Sequence, residues 1–147
     1  MTNAQPISTP LSSALRDAQT QELSRKRVWT GRVLTGLSAA FFLLDAVMKL
    51  FKPASVVEAT IRLGYPESTI LGMGIALLVS TLLYLFPRTS ILGAILLTGY
   101  LGGAVATNVR AEQPLFNIIF PVIFASIAWA GLWLRDARVE QILPLKK

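Results

Sequence analysis

The sequence predicts an all-α fold: an integral membrane four-helix bundle with a short amphipathic helix in its first outer loop. Of the 147 residues, 53% are hydrophobic and only 15% are charged, whereas a soluble domain has about 25% charged residues. Four apolar stretches approach the length of about 20 residues that a helix needs to cross a bilayer. Most of the basic residues flank these stretches.

The first 27 residues are polar and predict a flexible cytoplasmic tail. Apolar positions are sparse here, and a short surface helix over Leu11–Leu23 is the alternative. No small-residue cleavage site follows the first apolar run, so a cleaved signal peptide is not expected. Residues 28–139 form the predicted four-span membrane domain, and residues 140–147 form a second cytoplasmic tail.

The first predicted span, Trp29–Phe51, carries two charges in its outer half. Asp45 and Lys49 are four residues apart, and this spacing places them on one face of a helix. An unpaired charge near the bilayer centre costs about 2.5–3.5 kcal/mol on insertion scales. Asp45 is therefore expected to have a partner, and Lys49 is the nearest candidate.

The first outer loop, Lys52–Glu67, contains a predicted helix at Ser55–Leu63. Glu58 and Arg62 lie four residues apart, and Gly64 follows as a C-terminal stop. Two interpretations stay open. The helix is either an ordinary connection or a lid over an outward-facing cavity.

The other three spans are uncharged and are joined by short turns. The second covers Ser68–Phe86, the third Ile91–Val109 and the fourth about Leu115–Leu134. Small residues recur at four-residue spacing, at Gly72 and Ala76 and again at Gly99 and Gly103. Because small residues let helices approach closely in a bilayer, these stripes are interpreted as packing seams within the chain, with a homodimer face as the alternative.

Polar side chains of the third and fourth spans are predicted to line a crevice together with the charged pair. They are Tyr100, Thr107, Asn108, Arg110 and Asn117. The group either fixes helix register as a satisfied polar pin or provides a ligand or proton site. Pro121 should bend the fourth helix and free a carbonyl that lines the crevice.

Charge asymmetry predicts the orientation in the membrane. In a four-span chain, ten of the 14 basic residues fall on the side that holds both termini. By the positive-inside rule this side is cytoplasmic, which predicts that the N- and C-termini lie in the cytoplasm. Topology and anionic lipid explain the net charge of +6, so a nucleic-acid partner is not expected.

The chain contains no cysteine and no histidine. Disulfides, CxxC metal sites, c-type haem attachment and histidine proton relays are therefore excluded within it. We expect no metal site, no intrinsic cofactor and no catalytic residue, and the composition leans away from an enzyme. If the protein takes part in redox chemistry, the electron carrier lies on a partner protein or on a diffusible quinone.

Five segments, taken together, form a specific pattern. They are DAVMKL (45–50), LGYPES (63–68), YLFPRTSILGAILLTGYLGGAVATNVR (84–110), PLFNIIFPV (114–122) and WLRDARV (133–139). The combination resembles the DoxX-like family of small bacterial membrane proteins. The resemblance implies a four-helix bundle in the cytoplasmic membrane. The family takes its name from a subunit of an archaeal thiosulfate:quinone oxidoreductase, and distant relatives act as assembly chaperones or cargo receptors.

The chain departs from that family pattern at two positions. Leu77 stands where many relatives have a glutamate, and Asn108 stands where they have a histidine. These departures remove two titratable groups and weaken a proton-coupled or redox role. Asp45, Lys49 and Arg110 keep the match.

Three functions are compatible with these observations. The leading hypothesis is a non-catalytic or accessory inner-membrane subunit, which offers its polar crevice to a partner membrane protein or a small amphiphile. The second is the membrane subunit of a quinone-linked oxidoreductase, with Tyr100 and Arg110 at the quinone head group. The third, a small-solute transporter working as a dimer, depends only on the glycine stripes.

Overall fold

The computed structural model describes residues 10–136 and 138–139, with side chains from residue 24 onward. Within this part the chain forms helices and turns and no strand, which confirms the all-α prediction. The helices are α1 (Pro10–Phe51), α2 (Ala54–Arg62), α3 (Thr69–Leu85), α4 (Ser90–Arg110) and α5 (Leu115–Arg135).

The four longer helices, α1, α3, α4 and α5, pack side by side and are called the bundle below. α1 and α4 each contact both α3 and α5, so α1 and α4 lie diagonally opposite each other. Neighbouring helices run antiparallel. The end of the bundle that holds the α3–α4 turn is called the turn end, and the end that holds α2 and the α4–α5 turn is called the loop end.

Three helical segments in the described chain are long and apolar enough to cross a membrane. They are Ser24–Phe51 within α1, Ser90–Arg110 and Leu115–Arg135. α3 is apolar and uncharged as well, but it has only 17 residues. By helical rise it is about 25 Å long, a few ångströms less than the roughly 30 Å hydrocarbon core of a typical bilayer.

α1 extends much further upstream than the predicted first span. It begins at Pro10, so residues 10–27 are helical where a flexible tail was predicted. Pro10 suits the first helical position because its φ is fixed near the helical value and its missing N–H is not needed there. No glycine or proline interrupts the chain again until Gly31. The rest of the predicted tails, residues 1–9 and 140–147, lies outside the described residues.

Tyr84 belongs to the hydrophobic core, in the half nearer the turn end. Its side chain is fully buried, and its hydroxyl donates to the Ala128 carbonyl at 2.8 Å and lies 3.3 Å from Thr35 Oγ1. This one group therefore joins α3 to α5 and α1. The other buried apolar residues of this core are Phe42, Ala46, Leu77, Ala94, Leu97, Leu101, Ala128, Leu132 and Val139.

The closest helix contacts use glycines outside the predicted stripes. A Cβ atom on Gly93 of α4 would lie 2.1 Å from the amide nitrogen of Tyr84 in α3. Gly31 and Gly131 face each other where α1 meets α5, and a Cβ on Gly31 would lie 2.9 Å from the Gly131 oxygen. Gly74 of α3 makes the corresponding contact with α1.

The predicted stripe residues, Gly72, Ala76, Gly99 and Gly103, face away from the bundle. All four are exposed, and no described residue lies within 4 Å of a Cβ built on any of the three glycines. A helix seam requires contact, so the interpretation of these residues as seams within the chain is wrong. Their alternative role, as a face between two copies, stays a prediction.

Charged side chains connect the end of α5 to the α3–α4 turn. Asp136 accepts a hydrogen bond from Arg138 at 2.6 Å and a longer one from Ser90 at 3.4 Å. Arg138 also donates to the Pro87 carbonyl. This network fastens the last residues after α5 to the turn end.

Stability at the turn end is expected to depend on pH through Asp136. The hydrogen bond from Arg138 lowers the pKa of this carboxyl below its ordinary value of 3.8, against the opposing effect of burial. When the pKa of a carboxyl is lower in the folded protein than in the unfolded protein, its ionised form stabilises the fold. This stabilisation is fully present above the pKa of the unfolded state, and it is lost as the pH falls through the pKa of the folded state.

We expect Asp136→Asn to lower the melting temperature in mild detergent by a constant amount above about pH 5, and by a shrinking amount below about pH 4. Glu58→Gln serves as the control, because Glu58 is an exposed carboxylate on α2. A difference between wild type and Asp136→Asn that does not change down to strongly acidic pH would contradict the assignment.

Candidate polar crevice at the loop end

Asp45 and Lys49 form an ion pair in the part of α1 that approaches the loop end. Lys49 Nζ lies 2.5 Å from Asp45 Oδ1, which is the pairing that the four-residue spacing predicts. Lys49 is 18% exposed and Asp45 is 39% exposed. The Lys49 side chain is therefore the more buried member of the pair, and the Asp45 side chain is the more accessible one.

The pair faces the inside of the bundle. Lys49 packs directly on α3, because a Cβ on Gly74 would lie 3.0 Å from Lys49 Cβ. Asp45 lies within electrostatic range of Tyr100 on α4. Since α1 and α4 are diagonal in the bundle, an interaction between these two side chains crosses its interior.

The hydroxyl of Tyr100 has no partner in the described part of the chain. The Tyr100 side chain packs partly against the core, but no described residue hydrogen-bonds its hydroxyl. The hydroxyl is also not among the fully buried polar atoms that lack a partner. The hydroxyl therefore keeps some accessible surface.

Buried apolar residues become fewer on α1 and α4 towards the loop end, although Ile70 of α3 is fully buried there. Ala46 and Leu101 are the last buried core residues on α1 and α4 towards the loop end. Beyond them, α4 continues with Ala104, Val105 and Asn108, each only partly buried. We call the region around Asp45, Lys49 and Tyr100 the crevice.

Two other predicted site residues hold the first outer loop instead. The hydroxyls of Thr107 and Tyr65 are 2.8 Å apart. Arg110 donates to the Leu63 carbonyl at 2.9 Å, and its guanidinium lies 5.6 Å from the centre of the Tyr65 ring. Thr107 and Arg110 thus bind the C-terminal end of α2 to α4.

α2 ends as its sequence predicts, within one residue of the predicted bounds. The Gly64 amide donates to the Ile61 carbonyl at 2.8 Å, and the Tyr65 amide donates to the Thr60 carbonyl at 3.2 Å. Gly64 has a φ of +84°, a left-handed conformation that a glycine adopts at low cost. These features form a Schellman motif, and they orient the Leu63 carbonyl that Arg110 binds.

The side-chain amides of the two predicted asparagines donate hydrogen bonds to residues four positions earlier in the chain. Asn108 donates to the Ala104 carbonyl one turn earlier at 2.9 Å, and the exposed Asn117 donates to the Gln113 side chain at 3.2 Å. The structure therefore pairs Asp45 with Lys49 and places Tyr100 within electrostatic range of Asp45. It places Thr107 and Arg110 at the outer loop, and it does not bring Asn117 to the charged pair.

Sequence reasoning missed Tyr65 and Gly74. Tyr65 lies in a loop, where no periodicity indicates its partner. Gly74 lies two residues from each member of the Gly72 and Ala76 stripe, and so it was assigned to no face. An aromatic residue directly after a helix-terminating glycine was the only signal that pointed to Tyr65.

Most of the bundle matches a known protein family. The sequence profile of the DoxX-like family matches residues 33–131, which is more than half of the chain. The chain belongs to the DoxX-like family. The matched range begins in α1 and ends in α5, so it includes the crevice and α2. No curated protein and no solved structure matches the chain.

Proposed function

We propose that this DoxX-like protein is a non-catalytic or accessory subunit of the bacterial inner membrane, and that its crevice binds a partner membrane protein or a small amphiphile. In this proposal all four helices of the bundle span the membrane and both termini are cytoplasmic. The distribution of basic residues supports the orientation. The bilayer accommodates the shorter α3 by local thinning, at a modest cost.

The observation that carries the proposal is that two polar side chains of the apolar bundle, Asp45 and Tyr100, keep accessible surface and unused hydrogen-bonding capacity. Buried polar groups normally have hydrogen-bond partners, and each missing bond costs free energy. A polar pin that only fixed helix register would therefore be expected to complete its own bonds. Asp45 is instead 39% exposed, and no described residue hydrogen-bonds the Tyr100 hydroxyl.

The ligand chemistry follows from the groups that line the crevice. Asp45 offers a second carboxylate oxygen, Lys49 offers further N–H donors, and Tyr100 offers a hydroxyl that donates or accepts. A head group that carries both a donor and an acceptor, attached to an apolar body, complements this set. A quinone is one such amphiphile, and its carbonyl would accept from Tyr100 or Lys49.

The geometry changes which residues a quinone would meet. Tyr100 and Arg110 are ten residues apart on α4, which corresponds to about 15 Å along the helix axis. Arg110 is also occupied by the Leu63 carbonyl. A head group at Tyr100 would therefore contact Asp45 and Lys49 rather than Arg110.

The proposal is tested by purifying the protein in mild detergent and identifying bound molecules by native mass spectrometry. We expect wild type to retain a partner protein or an amphiphile that Asp45→Ala loses. Glu58→Gln, which removes an exposed carboxylate from α2 outside the crevice, should retain it. If wild type retains nothing, or if Asp45→Ala retains the same molecules, the crevice is not a binding site.

A further inference from the structure

The chain between α1 and α3 crosses the loop end of the bundle diagonally. It leaves α1 after Phe51 and enters α3 at Thr69, but between these points it is bound to Thr107 and Arg110 of α4. α4 lies diagonally opposite α1 in the bundle. Residues 52–67, called the strap below, therefore pass from α1 across to α4 before they return to α3.

The strap lies on the membrane-surface side of the crevice. Asp45 is six residues from the last residue of α1, and Tyr100 is seven residues from Thr107. By helical rise, both crevice residues lie about 9–11 Å further inside the bundle than the strap. They belong to α1 and α4, the two helices that the strap connects. A molecule that approaches the crevice from the loop end along the bundle axis therefore meets the strap first.

The helix within the strap, α2, is weakly attached to the bundle. Thr60 is its only buried residue, and the Thr60 hydroxyl donates to the Val56 carbonyl of the same helix at 2.8 Å. Glu58 pairs with Arg62, which also belongs to α2. No side chain of α2 hydrogen-bonds to another helix of the described chain. The strap is fastened to α4 only by the residues that follow α2.

Three contacts, called the latch below, make this attachment. The Tyr65 and Thr107 hydroxyls are 2.8 Å apart. Arg110 donates to the Leu63 carbonyl at 2.9 Å, and its guanidinium lies 5.6 Å from the centre of the Tyr65 ring. All three contacts depend on two side chains of α4, so the loss of these side chains would free the strap from α4.

Both ends of α2 are next to a residue with a left-handed backbone. Lys52, two residues before α2, has a φ of +48°, and Gly64, two residues after it, has a φ of +84°. Glycine adopts this conformation at low cost. A residue with a side chain rarely does, and it keeps such a conformation only where the surrounding structure imposes it. Residues at the ends of helices that absorb backbone changes act as hinges, and Lys52 and Gly64 are placed to do so.

We propose that the strap opens and closes the loop end of the bundle. The latch holds it closed in this structure, and it opens by rotation about Lys52 and Gly64 when the latch breaks. That opening admits a ligand to the crevice rests on the proposed function, whereas the opening itself does not. Arg110 is then a positioning residue for the strap.

Distances between two spin labels test the proposal. The chain has no cysteine, so Ala59→Cys on the exposed surface of α2 and Phe86→Cys at the turn end provide the two labelling sites. The ligand-free protein is measured in detergent by double electron–electron resonance. Tyr65→Phe combined with Arg110→Met should add a second distance to the one seen with the latch intact. Losing one hydrogen bond changes an equilibrium by about two- to tenfold, and more for a charged donor, so the open-to-closed ratio should rise about 20-fold or more.

Two controls separate the strap from the rest of the bundle. Arg62→Gln removes an exposed cation from α2 without changing the latch, and it should leave the distances unchanged. Labels at Phe86→Cys and Val109→Cys, near opposite ends of the bundle, should keep their distance when the latch is removed. The proposal is overturned if the latch variant shows only the original distance, or if the Phe86–Val109 distance changes as well. Because no ligand is present, a failure of crevice binding leaves this outcome unaffected.

Discussion

Replacing Gly93 with alanine is expected to destabilise the protein by about 1–3 kcal/mol, the usual cost of overpacking a well-packed contact. The new Cβ would lie 2.1 Å from the Tyr84 nitrogen and 2.4 Å from the Tyr84 Cα. Both are backbone atoms of α3, so no side-chain rotation relieves the clash. α3 and α4 must separate instead, and this shifts the hydroxyl of Tyr84 away from α5.

Gly99→Ala provides the matched control on the same helix. Gly99 is exposed, and no described atom lies within 4 Å of a Cβ at this position. Alanine is favoured over glycine inside a helix by about 0.5–1 kcal/mol, so this variant should be as stable as wild type or more stable. Unfolding by sodium dodecyl sulfate in mixed micelles measures both free energies. Equal stability of the two variants would contradict the close contact at Gly93.

Neutralising only one member of the Asp45–Lys49 pair is expected to cost more than neutralising both. Lys49→Met keeps the apolar stem that packs against α3 but leaves Asp45 as a lone charge. Asp45→Asn leaves Lys49 as a lone charge. Removing one partner of a fully buried pair costs about 3–5 kcal/mol, whereas replacing both is often nearly neutral. Because this pair is partly exposed, we expect about 1–3 kcal/mol for each single variant and less for the double variant.

The chain contains a control pair with the same spacing. Glu58 and Arg62 on α2 are also four residues apart, but their charged atoms are 3.5 Å from each other and both side chains are exposed. Exposed pairs of this kind couple by about 0.3–0.5 kcal/mol. Double-mutant cycles measured in the same micelles should therefore give a clearly larger coupling energy for Asp45–Lys49. Equal coupling in the two cycles would mean that water screens the crevice completely.

Features that depend on neighbouring residues could be predicted from the sequence. The apolar run that forms α3 has helix-ending residues on both sides. α2 stops at Gly64 because a glycine there adopts a positive φ at low cost. The pairing of Asp45 with Lys49 follows from one helical turn. Each of these predictions uses residues that lie close together in the chain.

Features that depend on the orientation of a helix could not be predicted in this way. The spacing of Gly99 and Gly103 shows that they share a face, but it does not show whether that face meets another helix. Gly93 has no glycine or alanine four positions away, and only the position of Tyr84 on α3 explains it. Apolar content likewise marks where α1 crosses a membrane but not where the helix begins, since polar residues continue it to Pro10.

The site was partly predicted for the same reason. Asp45 and Lys49 were found through spacing, and Tyr100 through its polarity in an apolar span. Arg110 was assigned to the crevice because its height along α4 suggested it, but the path of the outer loop brings the Leu63 carbonyl to Arg110 first. That path depends on the direction in which the chain leaves α2, which the spacing of residues does not determine.

α1 is a continuous helix of 42 residues, about 63 Å long. Asp45 lies near one end of it, and Pro10 lies roughly 50 Å away at the other. A change of about 10° in the tilt of a straight helix of this length, taken about Asp45, displaces Pro10 by roughly 9 Å. A small change in the tilt of α1 near Asp45 therefore gives a large displacement of its N-terminal end.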